Sequence, residues 1–375
     1  MVQTTPLPNF WASAGCRIGE HDWFVVSQRR AGYRTARLPH KKGASHISLH
    51  LHPGLAALGI GFPVLLAPMA GITDLPFRRI ARRFGVGLAT SEMVASEEIV
   101  RAKPSARARA EIEGGPGASV QLAGRDPRWM GEAAKLLRDR GATVIDINMG
   151  CPAKKVTGGQ SGSALMRDPD LALRIIEAVA ASGVPTTVKM RLGWCDDSLT
   201  APSLAQRAEA AGAAMITVHG RTRMQFYRGA ADWSAVGATV RAVSIPVVVN
   251  GDVVDAESAR EALRRSGAAA VMVGRGAQGA PWLPSRIAAN LAGAPAEPVP
   301  CGGRLAAEVL AHHDHALRFY GADLGGRVMR KHLGWYLAAA GVQADIRRAV
   351  VTASEPGEVR RLVLDALDRP REAAA

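Results

Sequence analysis

The chain has 375 residues, of which 47% are hydrophobic and 21% are charged, so it contains enough apolar side chains for a sizeable core. No apolar run approaches the ~20 residues of a membrane-spanning helix, and charged residues interrupt the N-terminal segment where a signal peptide would be apolar. These features predict a cytoplasmic protein with no membrane partner. The formal net charge of +14 suits a polyanionic partner, although a GC-rich genome that favours arginine codons would produce the same excess.

The four cysteines are widely separated and form no Cys-x-x-Cys pair, so the sequence predicts neither a disulfide framework nor a zinc site. They are Cys16, Cys151, Cys195 and Cys301. Three histidines, His312, His313 and His315, lie close together in a helical pattern, but the first two point about 100° apart. We therefore expect no metal site, and we expect these histidines on a solvated helix face.

Residues 1–55 form a basic N-terminal segment. Seven Lys or Arg residues face two acidic residues in its first 50 positions, and no apolar period of 2 or 3.6 is sustained there. This composition predicts a poorly ordered extension. It could be an added RNA-binding arm or the product of a start codon placed too early, and we favour the second explanation.

Between residues 60 and 292, short β-branched or apolar runs alternate with longer amphipathic patterns, eight of each. The predicted strands are Val64–Ala67, Leu88–Met93, Ser119–Leu122, Val144–Asn148, Thr186–Arg191, Met215–His219, Pro246–Asn250 and Ala270–Gly274. The predicted helices are Leu75–Phe84, a weaker one near Ser96–Lys103, Pro127–Arg140, Pro169–Ala181, Ala201–Ala211, Ala231–Ala242, Ala256–Ser266 and Trp282–Leu291. Such alternation is typical of a parallel sheet, and eight evenly spaced units favour a (β/α)8 TIM barrel over a doubly wound open sheet.

A linker and a helical segment follow the predicted barrel. Residues 293–303 contain three prolines and paired glycines, which is typical of a linker. Residues 304–370 contain only helical patterns. These patterns are Leu305–Tyr320, Arg327–Ala340 and Glu358–Leu367. We predict a small C-terminal all-helical domain that carries a basic cluster around Arg327, Arg330 and Lys331.

The carboxyl ends of the predicted strands are rich in glycine and polar residues. Active sites of (β/α)8 barrels lie at this edge, so these endings are the first candidates for a site. They comprise Ala67-Pro68-Met69-Ala70-Gly71, Gln121, Asn148-Met149-Gly150-Cys151-Pro152, Lys189 with Arg191, His219-Gly220-Arg221, Asn250-Gly251-Asp252 and Gly274-Arg275-Gly276. The distribution predicts a mouth lined for a ligand.

The endings of the seventh and eighth strands indicate a phosphate site, because barrels commonly bind phosphate on the loops after these strands. Gly251 and Gly274 would let a phosphate approach the backbone, and Arg275 adds positive charge, although glycines at strand-to-helix turns also serve purely structural purposes. Residues from Gly274 onward match a dinucleotide-binding glycine pattern, but prolines interrupt the helix that should follow it.

Three side chains at the mouth could act chemically. Lys189 could stabilise a reduced flavin or an enolate, or could pair with an acidic neighbour such as Asp146. We favour the first role, because a charged residue within a parallel strand is uncommon. Cys151 is predicted on an exposed turn, where a thiol could transfer a proton or attack as a nucleophile. His219 could bind phosphate or substrate, but by itself it favours a structural role.

Four motifs occur in order along the chain and together resemble those of the tRNA-dihydrouridine synthases. They are Ala67-Pro68-Met69-Ala70-Gly71-Ile72-Thr73-Asp74, Asp146-Ile147-Asn148-Met149-Gly150-Cys151-Pro152-Ala153-Lys154-Lys155, His219-Gly220-Arg221-Thr222 and Asn250-Gly251-Asp252. The Cys-Pro-Ala-Lys-Lys run is similar to the bacterial B-type branch of this family. The resemblance covers about residues 60–340.

This resemblance implies an FMN-dependent oxidoreductase that takes hydride from NADPH or NADH and reduces the C5–C6 bond of specific uridines in tRNA. It implies that Cys151 is the general acid and that Asn148 and Arg191 help to seat the uracil. Arg330 and Lys331 would contact tRNA phosphates from the helical domain. The FMN ligands that it implies are Pro68, Met69, Ala70, Gln121, Lys189, His219, Asn250, Gly251, Asp252, Gly274 and Arg275. We expect the enzyme to be a monomer.

Two other functions are compatible with parts of the sequence. A flavin barrel that acts on a free pyrimidine, similar to the dihydroorotate dehydrogenases, would also use FMN and a lysine at the mouth. A basic helical domain of about 70 residues argues against it, since a small substrate needs no such appendage. A non-catalytic RNA-binding protein is the third possibility, but it would have no need for Cys151, Lys189 and the glycines after the last two strands.

Overall fold

Parallel strands close into a barrel in the computed structural model, which describes residues 51–113, 115 and 117–368. The strands are β1 (Val64–Leu66), β2 (Ala89–Thr90), β3 (Val94–Ala95), β4 (Ala118–Ala123), β5 (Val144–Met149), β6 (Thr186–Arg191), β7 (Ala213–His219), β8 (Val247–Asn250) and β9 (Ala270–Val273). Each of β4 to β8 pairs with the next strand, β9 pairs with β1, and β1 pairs with β2, which pairs with β4. The predicted (β/α)8 barrel is confirmed.

The second strand position differs from its prediction. The predicted strand Leu88–Met93 is interrupted, and the position is shared by β2 and β3, both of which pair with β4. The interruption has a local cause, because the backbone N–H of Glu92 bonds to Thr73 O and not to a neighbouring strand. Glu92 is thereby hydrogen-bonded to the loop that follows β1.

Helices surround the barrel and continue beyond it. They are α1 (Pro53–Ala57), α2 (Leu75–Arg83), α3 (Ser96–Val100), α4 (Pro104–Arg109), α5 (Pro127–Asp139), α6 (Lys154–Thr157), α7 (Pro169–Ala180), α8 (Ala201–Ala210), α9 (Trp233–Ala242), α10 (Ala256–Ser266), α11 (Leu283–Leu291), α12 (Gly302–Tyr320), α13 (Ala322–Ala339), α14 (Ala344–Thr352) and α15 (Pro356–Asp368). Five of them begin at an aspartate whose carboxylate accepts a backbone N–H of the first turn, as expected of N-cap residues. These N-caps are Asp74, Asp126, Asp168, Asp232 and Asp255. Within the described part of the chain, no helix is long and apolar enough to span a membrane.

The end of the predicted N-terminal extension, residue 55, is wrong. Helix α1 begins at Pro53, and Leu55 is fully buried in an apolar cluster with residues from the barrel interior. That cluster includes Leu65, Val144, Met215 and Val248. Residues 51–60 therefore belong with the barrel, and the preceding part of the predicted extension lies outside the described residues.

The four C-terminal helices, α12 to α15, pack on one another and on the barrel. Helices α12 and α13 approach closely at Gly325, where a Cβ atom would lie 2.6 Å from Ala316 O. Phe77 of α2 contacts the ring of His332 with centroids 5.5 Å apart, and Tyr320 Oη donates to Asp74 Oδ2 at 3.0 Å. The predicted helical domain is confirmed, and its first helix begins at Gly302, two residues before the predicted boundary.

The prediction that His312 and His313 lie on a solvated helix face is wrong. Both are buried, with exposed fractions of 0% and 2%, and His312 Nδ1 lies 3.1 Å from Tyr336 Oη. The sequence of α12 alone predicts which residues share a face, but it does not show that α2 and α13 cover two faces of this helix. Burial lowers the pKa of His312 well below its usual value, so its imidazole is neutral at pH 7.

Candidate active site at the carboxyl end of the barrel

Cys151 lies on a turn that follows β5 and is held from both sides. Asn148 Oδ1 accepts hydrogen bonds from the backbone N–H groups of Gly150 (3.1 Å) and Cys151 (2.9 Å). Ser163 donates to Cys151 O from its backbone N–H at 3.1 Å and from its hydroxyl at 3.0 Å. Gly162 has a φ of +61°, and a Cβ atom there would lie 2.9 Å from Cys151 O. The half-buried free thiol is therefore presented on a fixed backbone.

Arg191, at the end of β6, connects this turn to the loop after β7. Its Nε donates to Gly150 O at 2.8 Å, and its Nη1 donates to Thr222 O at 2.9 Å and to Phe226 O at 2.8 Å. The side chain is 2% exposed. The spacing of two between Lys189 and Arg191 places both on the inner face of the barrel, as the sequence predicts.

Lys189 lies two residues before Arg191 on β6. Its Nζ donates to Asn250 Oδ1 at 3.0 Å. Asn250 is itself held because its Nδ2 donates to Met272 O at 2.8 Å. Burial and the Arg191 guanidinium lower the pKa of Lys189 to about 8, against the opposing effect of Asp146. Among the described residues the Lys189 ammonium group donates one hydrogen bond, to Asn250, which leaves two of its three hydrogens for a ligand.

Below Lys189, Gln121 and Asp146 occupy paired positions on β4 and β5. Gln121 Nε2 donates to Asp146 Oδ2 at 2.7 Å, and Gln121 Oε1 accepts from Asn148 Nδ2 at 2.7 Å. Thr187 Oγ1 donates to Asp146 Oδ1 at 2.6 Å. Burial raises the pKa of Asp146 to about 6, although its hydrogen bonds and Lys189 act in the opposite direction.

The loops after β7 and β8 are joined by Arg221, a buried arginine that the sequence places at the end of a predicted strand without assigning it a role. Arg221 is 2% exposed, and its Nη2 donates to Asp252 Oδ2 at 2.5 Å. Arg275 Nη2 lies 3.4 Å from the other carboxylate oxygen, so Asp252 holds two guanidinium groups. The predicted ligand Asp252 thus orients Arg275, which is 47% exposed.

His219 is buried beside these arginines. Burial, together with Lys189, Arg191, Arg221 and Arg275, lowers its pKa well below the usual value, so the ring is neutral at pH 7. Arg221 Nη1 lies 3.2 Å from His219 Nε2. An arginine only donates, so Nε2 accepts and the ring proton is on Nδ1.

Two glycines occupy the predicted phosphate loops. Gly251 has a φ of +114°, and a Cβ atom there would lie 2.8 Å from His219 Cδ2, so a larger residue does not fit. At Gly274 the nearest side-chain atom to a Cβ position is Ala67 Cβ at 3.8 Å, which leaves the strand end open. The structure brings both glycines and Arg275 to the same edge as Lys189.

The loop after β1 completes the mouth. Met69 N donates to Thr73 Oγ1 at 2.8 Å and Gly71 N donates to Glu92 Oε2 at 2.7 Å, which fixes the loop conformation. Pro68 and Met69 are half-buried. Ala70 is exposed at the tip of this loop.

The two basic residues predicted on the helical domain are placed differently. A Cβ atom on Gly71 would lie 3.5 Å from Lys331 Nζ, so the ammonium group of Lys331 reaches the rim of the barrel. Arg330 is exposed on the same helix, α13, about 100° around its axis. The structure therefore brings Lys331 to the edge of the mouth, and Arg330 lies exposed on a neighbouring face of α13.

Aromatic residues that the sequence analysis missed lie at the opposite rim. Tyr227 is 56% exposed, and its ring centroid lies 5.6 Å from the Arg191 guanidinium and 5.1 Å from that of Arg275. The Trp194 ring is flanked by two guanidinium groups, each 4.8 Å from its centroid. The loop after β7 contains Met224, Phe226 and Tyr227 among three arginines, a composition that could have indicated a surface for bases. Trp194 lies in the loop after β6.

Comparisons with known proteins agree with one another. The family described as "Dihydrouridine synthase (Dus)" matches residues 65–371. A protein of Rhodobacter capsulatus named "Probable tRNA-dihydrouridine synthase" is 59% identical over 323 residues, which cover 85% of this chain and 99% of that protein. A protein of Xanthomonas axonopodis pv. citri named "tRNA-dihydrouridine synthase B" is 44% identical over 307 residues, which cover 81% of this chain and 92% of that protein.

Proposed function

The chain belongs to the dihydrouridine synthase family, and we propose that it reduces uridines in tRNA to dihydrouridine with FMN as its flavin and NADPH as its hydride donor. The single observation that carries the chemical part is the Cys151 turn, which presents a half-buried thiol beside Lys189 at the carboxyl end of the barrel. The reaction would take place in the cytoplasm, where tRNA is found.

The residues at the mouth fit an anionic flavin nucleotide. The open strand end at Gly274 leaves room for a phosphate against the backbone, and Asp252 aims Arg275 at the same edge. The Lys189 ammonium group can donate further hydrogen bonds to a polar atom of the flavin ring system. Pro68, Met69 and Ala70 would cover the ring from the loop after β1, with Gln121, His219 and Asn250 beneath it.

When bound, FMN supplies the hydride that adds to C6 of uracil. Cys151 Sγ then gives its proton to C5, so that the C5–C6 double bond becomes a single bond. Negative charge develops on the uracil carbonyl oxygens before this proton arrives, and the cationic Lys189 and Arg191 stabilise it. Burial of Lys189 strengthens that effect, because the charge is less screened than in water.

A uracil within folded RNA has to leave its stack to reach the mouth. The rim of the barrel offers contacts for the strands on either side of the flipped nucleotide. Lys331 lies at one rim and would pair with a phosphate, and Arg330 on the same helix would bind the backbone farther out. Tyr227 lies across the mouth, where its exposed ring can stack on a base.

The test separates the two half-reactions by absorbance. In the purified wild type under anaerobic conditions, NADPH should bleach the flavin and unmodified tRNA should restore it. Cys151→Ala should bleach normally but recover at least about 100-fold more slowly, since a positioned general acid contributes about 10²–10⁴-fold. Cys195→Ala, which removes the other described free cysteine, should behave as wild type.

Two results would overturn the proposal. Recovery of the Cys151→Ala flavin by tRNA at the wild-type rate would remove the cysteine from the proton transfer. Recovery of the wild-type flavin by free uridine or orotate as fast as by tRNA would assign the site to a free pyrimidine.

A further inference from the structure

A continuous chain of buried side chains connects Asp146 to the Cys151 turn. Thr187 donates to Asp146, Gln121 donates to Asp146, Asn148 donates to Gln121, and the backbone N–H of Cys151 donates to Asn148. The three side-chain links measure 2.6, 2.7 and 2.7 Å. Exposed fractions along the chain are between 1% and 8%, so water does not compete for these groups.

The direction of this chain is set by its two ends. A carboxylate only accepts, so the NH2 group of Gln121 has to face Asp146, which leaves Gln121 Oε1 as the acceptor for Asn148 Nδ2. The oxygen of Asn148 then faces Gly150 N and Cys151 N, which can only donate. Burial raises the pKa of Asp146 to about 6, so at pH 8 the group is ionised and the direction is enforced.

We propose that Asp146 is a positioning residue for the reaction: through Gln121 and Asn148 it orients the turn that carries the proton-donating Cys151. This inference rests on the proposed function, since it assumes that Cys151 Sγ protonates uracil C5. Asp146 lies two residues from Asn148 along β5 and therefore acts through the chain, without contact to the substrate. The side-chain oxygen of Asn148 accepts hydrogen bonds from the Cys151 turn.

The alternative is that the same side chains merely fill the barrel interior with satisfied polar groups. In that case a reversal of the hydrogen bonds would change the free energy of unfolding. It would not change the rate of reoxidation by tRNA relative to the rate of flavin reduction by NADPH. A substitution that conflicts with the direction, followed by one that restores it in reverse, separates these explanations.

The first variant is Asn148→Asp. The new carboxylate still accepts from Gly150 and Cys151, but Gln121 then has an acceptor-only group on each side and its NH2 group can serve only one of them. We expect the recovery of the reduced flavin by tRNA, measured in a single turnover at pH 8, to slow by about tenfold or more. Bleaching by NADPH does not use the Cys151 proton, so it should slow less than reoxidation does, and any effect that comes through the flavin contact of Gln121 should appear in both half-reactions.

The second variant is the double substitution Asn148→Asp with Asp146→Asn. The hydrogen-bonded chain again contains one carboxylate, and its direction can reverse along its whole length. The amide at position 146 donates to Gln121 Oε1, and Gln121 Nε2 donates to the carboxylate at position 148. We expect the double variant to recover tRNA-dependent flavin reoxidation to within about threefold of wild type.

Each outcome decides the inference. A slow single variant with a restored double variant supports it. Where Asn148→Asp does not fold, Asp146→Asn alone, which adds no buried charge, takes its place: tRNA-dependent reoxidation slowed by about tenfold supports the inference, and reoxidation within about twofold of wild type overturns it. The inference is overturned if the single variant reoxidises normally, or if the double variant folds but stays slow, since Asn148 then acts by touching the uracil. Failure of the proposed function is recognised separately, because Cys151→Ala would then be reoxidised by tRNA at the wild-type rate.

Discussion

Substitution of Arg191 tests the site directly, because the sequence and the structure indicate different roles for this residue. The family resemblance implies that it seats the uracil, whereas the structure shows its guanidinium joined to three backbone carbonyls on two loops. Arg191→Ala should therefore destabilise the protein as well as slow the reaction. A residue that only touched the substrate would leave stability unchanged.

The magnitude follows from the contacts. Hydrogen bonds from a charged group contribute about 1.5–3 kcal/mol each, and Arg191 makes three. Burial is the main cause that lowers the pKa of Arg191 to about 10, so desolvation of the guanidinium offsets roughly 3 kcal/mol of that sum at about 1.36 kcal/mol per pKa unit. The expected loss is about 1.5–6 kcal/mol of unfolding free energy.

The assay is urea denaturation of the flavin-free protein, followed by circular dichroism, so that cofactor binding does not contribute. Arg191→Lys should be intermediate, because an ammonium group cannot reach both loops as a planar guanidinium does. Arg264→Ala, which changes an exposed residue of α10, is the matched control and should have no measurable effect. An Arg191→Ala protein as stable as wild type, with a raised KM for tRNA, would refute the reasoning and return Arg191 to the substrate.

Three further predictions follow from single contacts. Lys331→Ala should weaken tRNA binding and reduce the slope of log affinity against log salt by about 0.7–0.9, measured by filter binding; an unchanged slope would place Lys331 away from the RNA. Leu55→Ala should lower the free energy of unfolding by about 2–5 kcal/mol in urea denaturation, since Leu55 is fully buried against barrel residues. A loss below about 0.5 kcal/mol would mean that α1 does not pack on the barrel. Tyr320→Phe removes the donor to Asp74, whose pKa burial raises to about 6, so the loss should reach about 1–2 kcal/mol at pH 8, where the carboxylate is charged, and be smaller at pH 5. Equal losses at both pH values would show that this bond does not depend on the charge of Asp74.

The architecture was predictable because its signals are local. Buried strands are rich in β-branched residues, such as the three valines that begin Val247–Asn250, and most of the predicted helices end within one or two residues of the observed ones. The predictions failed where an element is short or where a distant one decides its surroundings. Helix α1 has five residues and too little length for a period, and α14 (Ala344–Thr352) was not predicted.

The location of the site was likewise predictable, and the work done by individual side chains was not. Residues that end successive parallel strands meet at one edge of a barrel whatever their details, so the strand endings alone predict where Cys151, Lys189 and Arg275 come together. Their hydrogen-bond partners come from other loops. Asp252 orients Arg275 and binds Arg221, a pairing that depends on how the loops after β7 and β8 fold back.

The amino-acid sequence by itself determined the barrel, the helical domain and the family, because strand and helix periodicity and the order of motifs are properties of the linear chain. Only the tertiary structure decided which histidines are buried, that Lys331 reaches the rim beside Gly71, and that Asp146 is joined through Gln121 and Asn148 to the turn of Cys151. These properties depend on contacts between residues far apart in sequence. Such contacts exist only after the strands have closed and the helices have packed.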